Sequence, residues 1–349
     1  MSMLADDYRF VVAVDTHRDT HTAAVLVTGT GAAVDIEQVP ADPGGYDELI
    51  TVADRYGVTP ERVWVIEGAG SYGAGLARHL LDRGERIIEV DRPTRPKRRN
   101  GAKSDEIDAV RSGREALTRR YPGEPRSLNG DRAALAVLLT TRRSAKDAAK
   151  TAKQQLHALI ISAPEILRDR FRGLSTTRMI TLAAKLRINP AWDSETRIVA
   201  GALRQLARRA RDLDNEAVTH RNHIELIVKA WRPDLLDQKG VGPVVAATIL
   251  CAWSHPGRFH NEAAFANLAG VAPIEASSGL VTRHRLNRYG DRQLNQALHT
   301  IVLCRLRYDP ATRAYAARRT AEGKTPAEIR RCLKRYVSRQ IYRLLENPT

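Results

Sequence analysis

The first ninety residues alternate between a strand-like and a helix-like pattern of hydrophobic positions. Short runs rich in Val and Ala, bounded by Gly, Asp or Thr, predict strands, and longer amphipathic stretches predict helices. Three consecutive strands suggest an antiparallel meander, and the strand–helix alternation that follows adds parallel pairing beside it. This is the arrangement of a ribonuclease-H-like α/β domain. The predicted elements, in chain order, are strands at 9–17, 21–29 and 32–40, a helix at 44–57, a strand at 62–67, a helix at 71–84 and a strand at 86–91.

The middle of the chain has a helical pattern throughout. Residues 134–161 and 196–231 carry apolar side chains at steps of three and four residues, with few glycines. Two long helices of this kind pack as an antiparallel coiled-coil hairpin, and the two helices can belong to one chain or to two copies of it. Their basic residues fit a solvated helix face as well as a nucleic-acid surface.

The pattern changes again in residues 235–250, LLDQKGVGPVVAATIL. A helix, a tight turn at Gly240 and Gly242, and a second helix are predicted, which resembles a helix-hairpin-helix. In that motif the glycines let backbone amides approach a DNA phosphate, and the second helix presents its N-terminus to the same anion. Glycines between helices also occur for packing alone.

Breaks in these patterns divide the chain. YPGEP at 121–125 is a strong break between the α/β part and the helical part. We therefore expect a ribonuclease-H-like domain at residues 1–125, a helical coiled-coil region at 126–236, and a mainly α domain with the helix-hairpin-helix at 237–349.

The net charge and its distribution along the chain indicate which class of partner the protein binds. The 349 residues have a net charge of +16, but residues 1–60 hold three bases and ten acids, so the remainder carries +23. Codon bias towards Arg would not remove basic residues from one end of the chain only. A strongly basic remainder favours a polyanionic partner, nucleic acid first.

The sequence does not predict a membrane protein or a protein of an oxidising compartment. No apolar run approaches the ~20 residues of a membrane span, and the acidic N-terminus lacks the apolar core of a signal peptide. The three cysteines, Cys251, Cys304 and Cys332, are far apart and lack zinc-site spacing. They are typical of reduced thiols, so we expect a cytoplasmic protein, associated with the nucleoid when bound to DNA, and no membrane partner.

Four acidic residues form a candidate metal site. Asp15 ends the apolar run VVAVD, Glu67 ends VWVIE, and adjacent strands would bring both to one edge of a sheet. Asp105 and Asp108, at i and i+3, share one face of a predicted helix. Singly, each is explained as a turn residue or a helix-dipole partner. Together they would repel, whereas Mg²⁺, or Mn²⁺ instead, would neutralise them and polarise a phosphodiester.

The segment directly before that helix is strongly basic. Residues 92–103, RPTRPKRRNGAK, contain six bases and no acid, and predict a basic loop. Ser104 is then the N-cap of a helix from Asp105 to about Thr118. The candidate nucleic-acid-binding residues of this loop are Arg95, Lys97, Arg98, Arg99 and Lys103.

A second constellation occupies residues 270–298. Ser277 and Ser278 precede Gly279 in a predicted turn, and Arg283, Arg285 and Arg288 follow as candidate nucleic-acid contacts. A serine hydroxyl attacks a phosphodiester when a base or metal activates it and cations hold the phosphate. On chemistry alone, a Ser-Ser-Gly turn is far more often an ordinary turn.

The motifs VDTH, VIEGAGSYG, KSDEIDA, GVGP and GVAPIEASSG…RLNRYGDRQL occur in this order along nearly the whole chain. In this the chain resembles the DEDD transposases of the insertion-sequence one-ten family. These resemble site-specific recombinases guided by a bridge RNA, a structured noncoding RNA that their own element encodes.

The resemblance implies roles for particular residues. The acidic tetrad of the family falls on Asp15, Glu67, Asp105 and Asp108, and its catalytic serine on Ser278, with Ser277 as the runner-up. The implied chemistry is serine attack on DNA, a covalent phosphoserine intermediate assisted by a bound metal, and strand exchange. The implied partners are donor and target DNA, the guide RNA and further copies of the chain, because active sites are shared between subunits of a homodimer or homotetramer.

The sequence departs from the family pattern at two places. Gly-Ala-Gly follows Glu67 where Thr-Gly is commoner, and Asn295 stands where Arg is frequent. These departures leave phosphate contacts near the sites open. One alternative is a metal-dependent Holliday-junction resolvase or nuclease that uses water as the nucleophile. The others are a non-enzymatic nucleic-acid-binding protein and, less well supported, an actin-like ATPase.

Overall fold

The chain forms two compact units, which are described separately. Unit 1 comprises Met1–Leu128 and Trp253–Asn261, and unit 2 comprises Asn129–Ala252 and Glu262–Thr349. The predicted three-domain division with its boundaries at 125 and 236 stays a prediction. The computed structural model describes residues 3–90, 104–120, 123–275, 284–285, 287 and 290–347.

Unit 1 is built around one mixed sheet, as the hydrophobic pattern predicts. Strand β1 pairs antiparallel with β2 and parallel with β4, and β5 continues the parallel side, so the strand order is β3-β2-β1-β4-β5. The ribonuclease-H-like assignment of this sheet stays a prediction. The elements are α1 Leu4–Asp7, β1 Phe10–Thr16, β2 Thr20–Val27, β3 Ala32–Pro40, α2 Pro43–Asp54, β4 Arg62–Glu67, α3 Ala74–Asp82, β5 Ile87–Val90 and α4 Asp105–Thr118.

Both faces of the central strands are buried, which explains their nearly continuous apolar runs. Even-numbered residues of β1, such as Val12 and Val14, pack with α2 and α3. Odd-numbered residues, such as Val11 and Ala13, pack instead with α4. Alternation along the strand therefore separates two hydrophobic cores, one on each face of the sheet.

Residues 253–261 join unit 1 through Glu124. The imidazole of His255 lies 3.3 Å from the Glu124 carboxylate, and the Arg258 guanidinium donates to the Glu124 carbonyl oxygen at 3.1 Å. Glu124 also pairs with Arg86. This association between distant parts of the sequence has no local pattern that could have predicted it.

Unit 2 begins with the predicted pair of long helices, α5 Gly130–Ser162 and α8 Ser194–Trp231. They run antiparallel, because Ile160 near the end of α5 shares a core with Ala200 near the start of α8, whereas Lys146 pairs with Asp214. The hairpin therefore forms within one chain. Between the two helices lie α6 Glu165–Arg168, the 3₁₀ turn Asp169–Phe171 and α7 Thr176–Ala184.

The predicted helix-hairpin-helix has only its second helix as an α-helix. Before the glycine turn the chain forms a single 3₁₀ turn, Pro233–Leu235, rather than the predicted helix, and α9 Pro243–Trp253 follows. Pro233 lacks a backbone N–H and therefore cannot extend α8 beyond Trp231 in the ordinary way. The helix-hairpin-helix assignment stays unconfirmed.

The rest of unit 2 is mostly helical, as predicted. Helices α10 and α11 both pack on α13, where Phe265 contacts Tyr342 with ring centroids 5.8 Å apart. A two-stranded ribbon, β6 with β7, lies between α10 and α11 in the sequence. The elements are α10 Glu262–Leu268, β6 Ile274–Glu275, β7 His284–Arg285, α11 Arg292–Tyr308, α12 Pro310–Ala321 and α13 Pro326–Glu346.

Among the described residues, no helix is both long enough and apolar enough to cross a membrane.

Candidate functional site

Asp15 and Glu67 lie side by side at the carboxyl end of the parallel pair β1 and β4. The register pairs Val14 with Ile66, and Glu67 is the last residue of its strand. The Thr16 hydroxyl donates to the Glu67 carbonyl oxygen at 2.8 Å, which ties the two strand ends together. Because Ala13 and Val65 pack with α4, strand alternation places Asp15 and Glu67 on that same face.

Helix α4 brings the other two carboxylates to this edge. Ser104 caps it as predicted, accepting a hydrogen bond from the Ile107 amide at 3.3 Å. Gly113 lets the helix approach the sheet closely: a Cβ there would lie 2.9 Å from the Cβ of Ala13 and from Cδ1 of Leu26. The start of α4, with Asp105 and Asp108, is therefore held against the end of β1.

Within the described residues, one group of three side chains has ligating atoms within 4.8 Å of one another: Asp15, His17 and Asp105. The Nε2 atom of His17 lies 3.4 Å from Oδ2 of Asp15 and 3.2 Å from Oδ1 of Asp105. The Asp15 side chain is 14% exposed and that of His17 is 48% exposed. The group is thus half-open to solvent, with Asp15 as its buried member.

The electrostatics of this group favour an added cation. Burial raises the pKa of Asp15; His17 opposes that shift, and the nearby carboxylates of Asp105 and Asp108 add to it. The net pKa shift is upward, so the ionised form of Asp15 is disfavoured in the absence of a compensating charge. A divalent cation among these oxygens would reverse that penalty.

Glu67 and Asp108 lie outside the group of three. Asp108 is close enough to affect the pKa of Asp15, but its carboxylate pairs with Arg111 at 2.5 Å. Glu67 is half-buried. The structure therefore brings Asp15 and Asp105 together, with Asp108 nearby, and places Glu67 on the same face of the neighbouring strand.

The sequence analysis did not include His17 among the candidate ligands. Its spacing could have identified it: in an extended chain, side chains two residues apart lie on the same face, so His17 is expected on the same side as Asp15. The donor set now fits a divalent ion, since carboxylate oxygens suit Mg²⁺ and an added imidazole suits Mn²⁺ at least as well. Asp15 and Asp105 would hold the ion, with His17 as a ligand or as the group that orients them.

Most of the other predicted residues lie outside the described part of the chain. These are the basic-loop residues Arg95, Lys97, Arg98, Arg99 and Lys103, the serines Ser277 and Ser278, and the arginines Arg283 and Arg288. Arg285 is described; it lies in β7, opposite Ile274 of β6, and is exposed. Both serines fall in the connection between these two paired strands.

Residues that flank the serine-bearing segment, 276–283, are fastened around the end of α10. On one side, the Asn295 amide donates to the Ala269 carbonyl at 2.7 Å, just before the segment begins. On the other, the Asn287 amide donates to Oδ1 of Asn267 at 2.9 Å. Gly290 is forced into the left-handed region at φ +106, where a Cβ would lie 2.4 Å from the Leu268 carbonyl oxygen. The approach and exit of the segment are thereby fixed.

Asn295, which departs from the family pattern, also contacts a cation. Its Oδ1 atom accepts a hydrogen bond from Nζ of Lys334 at 3.0 Å. An ammonium group from α13 therefore stands close to the position where the family often has a guanidinium.

The two glycines of the predicted DNA-binding turn differ in their surroundings. Gly240 has φ +85, and a Cβ there would lie 3.1 Å from the Ile301 carbonyl oxygen, so backbone conformation and packing on α11 explain it. At Gly242 a Cβ would meet nothing within 4 Å. Gly242 therefore leaves an open approach to the first turn of α9.

Comparison with known families agrees with this organisation. A family model for the DEDD transposases of IS110 elements, described as a transposase, matches residues 12–162. It spans the strands and α4 that carry the four carboxylates. A second model, described as the transposase IS116/IS110/IS902 family, matches residues 234–317, which include both serines. The chain belongs to the IS110 family of transposases. Membership in this family implies that DNA is the substrate and suggests that a divalent metal is used.

Two insertion-element proteins are similar to this transposase. An uncharacterized 43.6 kDa protein of insertion element IS110 from Streptomyces coelicolor is 32% identical over 118 residues, which is 34% of this chain and 29% of that protein. An uncharacterized 42 kDa protein of insertion element IS900 from Mycobacterium paratuberculosis is 25% identical, with 82% of this chain and 84% of that protein covered. The likeness to the IS900 protein thus extends over both units.

Proposed function

We propose that this transposase cuts and rejoins DNA at the ends of an insertion sequence and at its insertion site, through a covalent link between Ser278 and a DNA phosphate. The observation that carries the proposal is the convergence of Asp15 and Asp105 at the edge of the sheet, in a chain whose serine-bearing segment falls within the second family match. Acidic ligands and a nucleophile are the two parts that such a reaction requires.

The covalent step keeps the energy of the phosphodiester. The Ser278 oxygen forms a bond to phosphorus while the bond from phosphorus to a deoxyribose oxygen breaks. The serine proton passes to a base, and the departing sugar oxygen takes up a proton. A hydroxyl of a second strand then attacks the phosphoserine and releases Ser278. Each step exchanges one phosphate ester for another, so strands are joined without an external energy source.

The acidic residues of unit 1 hold and orient the charged groups for this exchange. Asp15, Glu67, Asp105 and Asp108 would bind Mg²⁺, with Mn²⁺ as the alternative ion. The bound cation would supply a Lewis acid that stabilises negative charge on the phosphate. The upward pKa shift of Asp15 supports a site completed by a cation. His17 holds Asp15 and Asp105 in place through its imidazole.

We further propose three partners for the complete reaction: donor DNA, target DNA and a structured noncoding guide RNA whose sequence selects both. In this proposal the protein acts as a homodimer or homotetramer whose acidic and serine residues come from different subunits. The guide RNA would copurify with the active protein, and its loops would match the ends of the element and the insertion site.

A trapped-adduct experiment tests the nucleophile. The protein is incubated with Mg²⁺ and DNA carrying the element end, and covalent protein–DNA complexes are separated under denaturing conditions. Ser278→Ala should abolish the adduct, whereas Ser277→Ala, the matched control in the same segment, should retain it. The roles of the two serines would be exchanged if only Ser277→Ala abolished it.

The same experiment separates recombination from hydrolysis. A resolvase or nuclease that activates water would cleave DNA without an adduct and would survive both serine substitutions. Asp15→Asn should abolish adduct formation, because it removes a negative ligand from the least exposed position of the metal group. An adduct that forms as well in Asp15→Asn as in the parent protein would show that the acidic group is not needed for the reaction. A parent protein that binds DNA but neither cuts it nor forms an adduct would instead be a nucleic-acid-binding protein without this chemistry.

A further inference from the structure

An open groove in unit 2 adjoins the anchored ends of the serine-bearing segment. Its volume is about 1070 Å³. One wall consists of Gly270–Pro273 with Arg285 and Asn287, and the other is formed by side chains of α12, α13 and the turn between them. The groove is thus lined by residues on both sides of the segment 276–283, which carries Ser277 and Ser278.

The groove is lined predominantly by cations. Three of its arginines are paired: Arg335 and Arg339 with Glu262, and Arg319 with Glu322. The carboxylate of Glu328, which also lines the groove, is occupied in capping α13, where it accepts hydrogen bonds from Thr325 at 2.8 and 2.9 Å. Glu328 also lies close enough to Lys324 and Arg331 for their charges to lower its pKa. It is the one carboxylate among the lining residues, against seven Lys and Arg side chains, so the groove keeps a positive charge.

Four further cations of the groove have no ion pair with any carboxylate in the described ranges: Arg285, Lys324, Arg331 and Lys334. Lys334 is half-buried, and burial together with the charge of Arg331 lowers its pKa. Cations that outnumber the carboxylates of a groove in this way form a site for an anion.

An aromatic ring accompanies the charges. Tyr336 lines the groove with 52% of its surface exposed and meets Tyr315 edge-to-face, with ring centroids 5.8 Å apart. The contact with Tyr315 fixes the Tyr336 ring while leaving it accessible. A rigid exposed ring beside unpaired cations is the combination that stacks a base while its backbone phosphates are bound.

We propose that this groove binds the DNA strand on which Ser278 acts, with Arg331, Lys334 and Arg285 contacting its phosphates and Tyr336 stacking on a base. The assignment to DNA rests on the proposed function, through the position of the groove at the base of the serine-bearing segment. Lys334 has a second, positioning role, because it donates a hydrogen bond to Asn295. Asn295 in turn donates a hydrogen bond to the carbonyl oxygen of Ala269, which precedes that segment. One side chain thus links phosphate binding to placement of the nucleophile.

The test compares two exposed arginines of α13 that undergo the same substitution. Arg331→Gln removes a cation from the groove, and Arg343→Gln removes one from a part of the helix that does not line it. Affinity of the full-length protein for a fluorescein-labelled DNA strand of mixed sequence is measured over a range of salt concentrations. Arg331→Gln should weaken binding roughly tenfold at moderate salt and lower the slope of log Kd against log salt by about 0.7–0.9. Arg343→Gln should change neither.

Lys334→Gln and Tyr336→Ala complete the comparison. Lys334→Gln should lower both DNA affinity and the yield of covalent adduct at saturating DNA, because it also loosens the Asn295 contact. Tyr336→Ala should weaken binding without altering the salt slope, since it removes no charge. An Arg331→Gln protein that binds DNA as tightly as Arg343→Gln does, with the same salt slope, would overturn the proposal.

Two controls separate this proposal from the proposed function. Ser278→Ala should retain the DNA affinity and salt slope of the parent protein while losing the adduct. An adduct that persists in Ser278→Ala refutes the proposed nucleophile, whatever the groove variants show. An RNA strand of the same sequence is measured in parallel, and a loss confined to RNA in Arg331→Gln would contradict the assignment of the groove to DNA.

Discussion

Gly113 offers a direct test of how the fold positions the acidic site. A Cβ at this position would lie 2.9 Å from Cβ of Ala13 and 2.9 Å from Cδ1 of Leu26. Carbon atoms pack at about 3.5–4.0 Å, so a methyl group overlaps both neighbours by roughly 0.6–1.1 Å. The Leu26 side chain can rotate, but Cβ of Ala13 moves only with the strand, so α4 would have to shift outward.

The expected change in the free energy of unfolding has two opposing contributions. Overpacking of a core costs about 1–3 kcal/mol, whereas replacing a glycine inside a helix with alanine contributes about 1 kcal/mol of stability. Gly113→Ala should therefore destabilise unit 1 by about 0–2 kcal/mol. Gly201→Ala is the matched control: Gly201 lies inside α8, where a Cβ would meet only Cδ1 of Ile188 at an ordinary 3.7 Å. It should stabilise its unit by about 1 kcal/mol.

The same substitution should also weaken metal binding. Asp105 lies eight residues before Gly113, about 12 Å along the helix, so an outward shift of α4 carries its carboxylate away from Asp15. Metal sites tolerate deviations of only about 0.2 Å in ligand distance. Gly113→Ala should therefore reduce the thermal stabilisation that the proposed Mg²⁺ or Mn²⁺ ion would give to unit 1.

Calorimetry with and without the ion measures both effects, and hydrogen exchange in α4 and α8 assigns each change to its unit. Gly201→Ala should leave the response to the ion unchanged. Gly113→Ala proteins that gained as much stability as Gly201→Ala, and kept the full response to the ion, would refute close packing of α4 as the device that positions Asp105.

Three further predictions concern other parts of the molecule. Arg62 and Glu85 are 3% and 4% exposed; burial alone would raise the pKa of Glu85, but hydrogen bonds from Arg62 and Trp64 lower it. Arg62 also pairs with Asp54 at 2.6 Å, so Glu85→Gln should lower the free energy of unfolding, measured with urea at neutral pH, by about 1–3 kcal/mol. A lowered pKa gives stability that is lost on acidification, so the difference from the parent should shrink as the pH falls through the pKa of Glu85. His17→Ala should weaken Mn²⁺ binding more than Mg²⁺ binding in titration calorimetry, and equal losses would indicate that His17 only orients the carboxylates. Gly242→Glu should weaken DNA binding with a lower salt slope if DNA approaches the start of α9, and unchanged binding would mark the turn as purely structural.

The α/β part of the fold could be predicted because its signals are local. Short apolar runs bounded by turn residues define β1 to β5, and Ser104 followed by acidic residues defines the start of α4 at Asp105, where the structure has it. The placement of Asp15 and Glu67 at one edge also followed from the order of strands, because parallel neighbours end at the same edge of a sheet. The approach of Asp105 to Asp15 depended in addition on the path of α4, which the sequence left open. Distances could not be predicted, since they depend on how closely Gly113 lets α4 approach.

Other features depend on contacts between distant residues and left no local signal. The sequence left open whether the two long helices pair within one chain, and only the shared core of Ile160 with Ala200 resolves it. The association of residues 253–261 with Glu124 is of the same kind. The Asn295–Lys334 contact, which joins α11 to α13, is also of this kind. The predicted helix before Gly240 is wrong: residues 236–239 alone separate the 3₁₀ turn Pro233–Leu235 from Gly240, whose left-handed conformation ends any helix there.

The nature of the DNA-linked residue tests the proposed chemistry most directly. Adducts formed with Mg²⁺ and element-end DNA are digested with protease and nuclease, and the modified peptide is identified by mass spectrometry. We predict a nucleotide phosphate on Ser278, present in the parent protein and absent from Asp105→Asn at equal DNA occupancy. DNA that is cut in a Mg²⁺-dependent manner with no nucleotide on any serine would contradict it, and would assign the carboxylates to the activation of water.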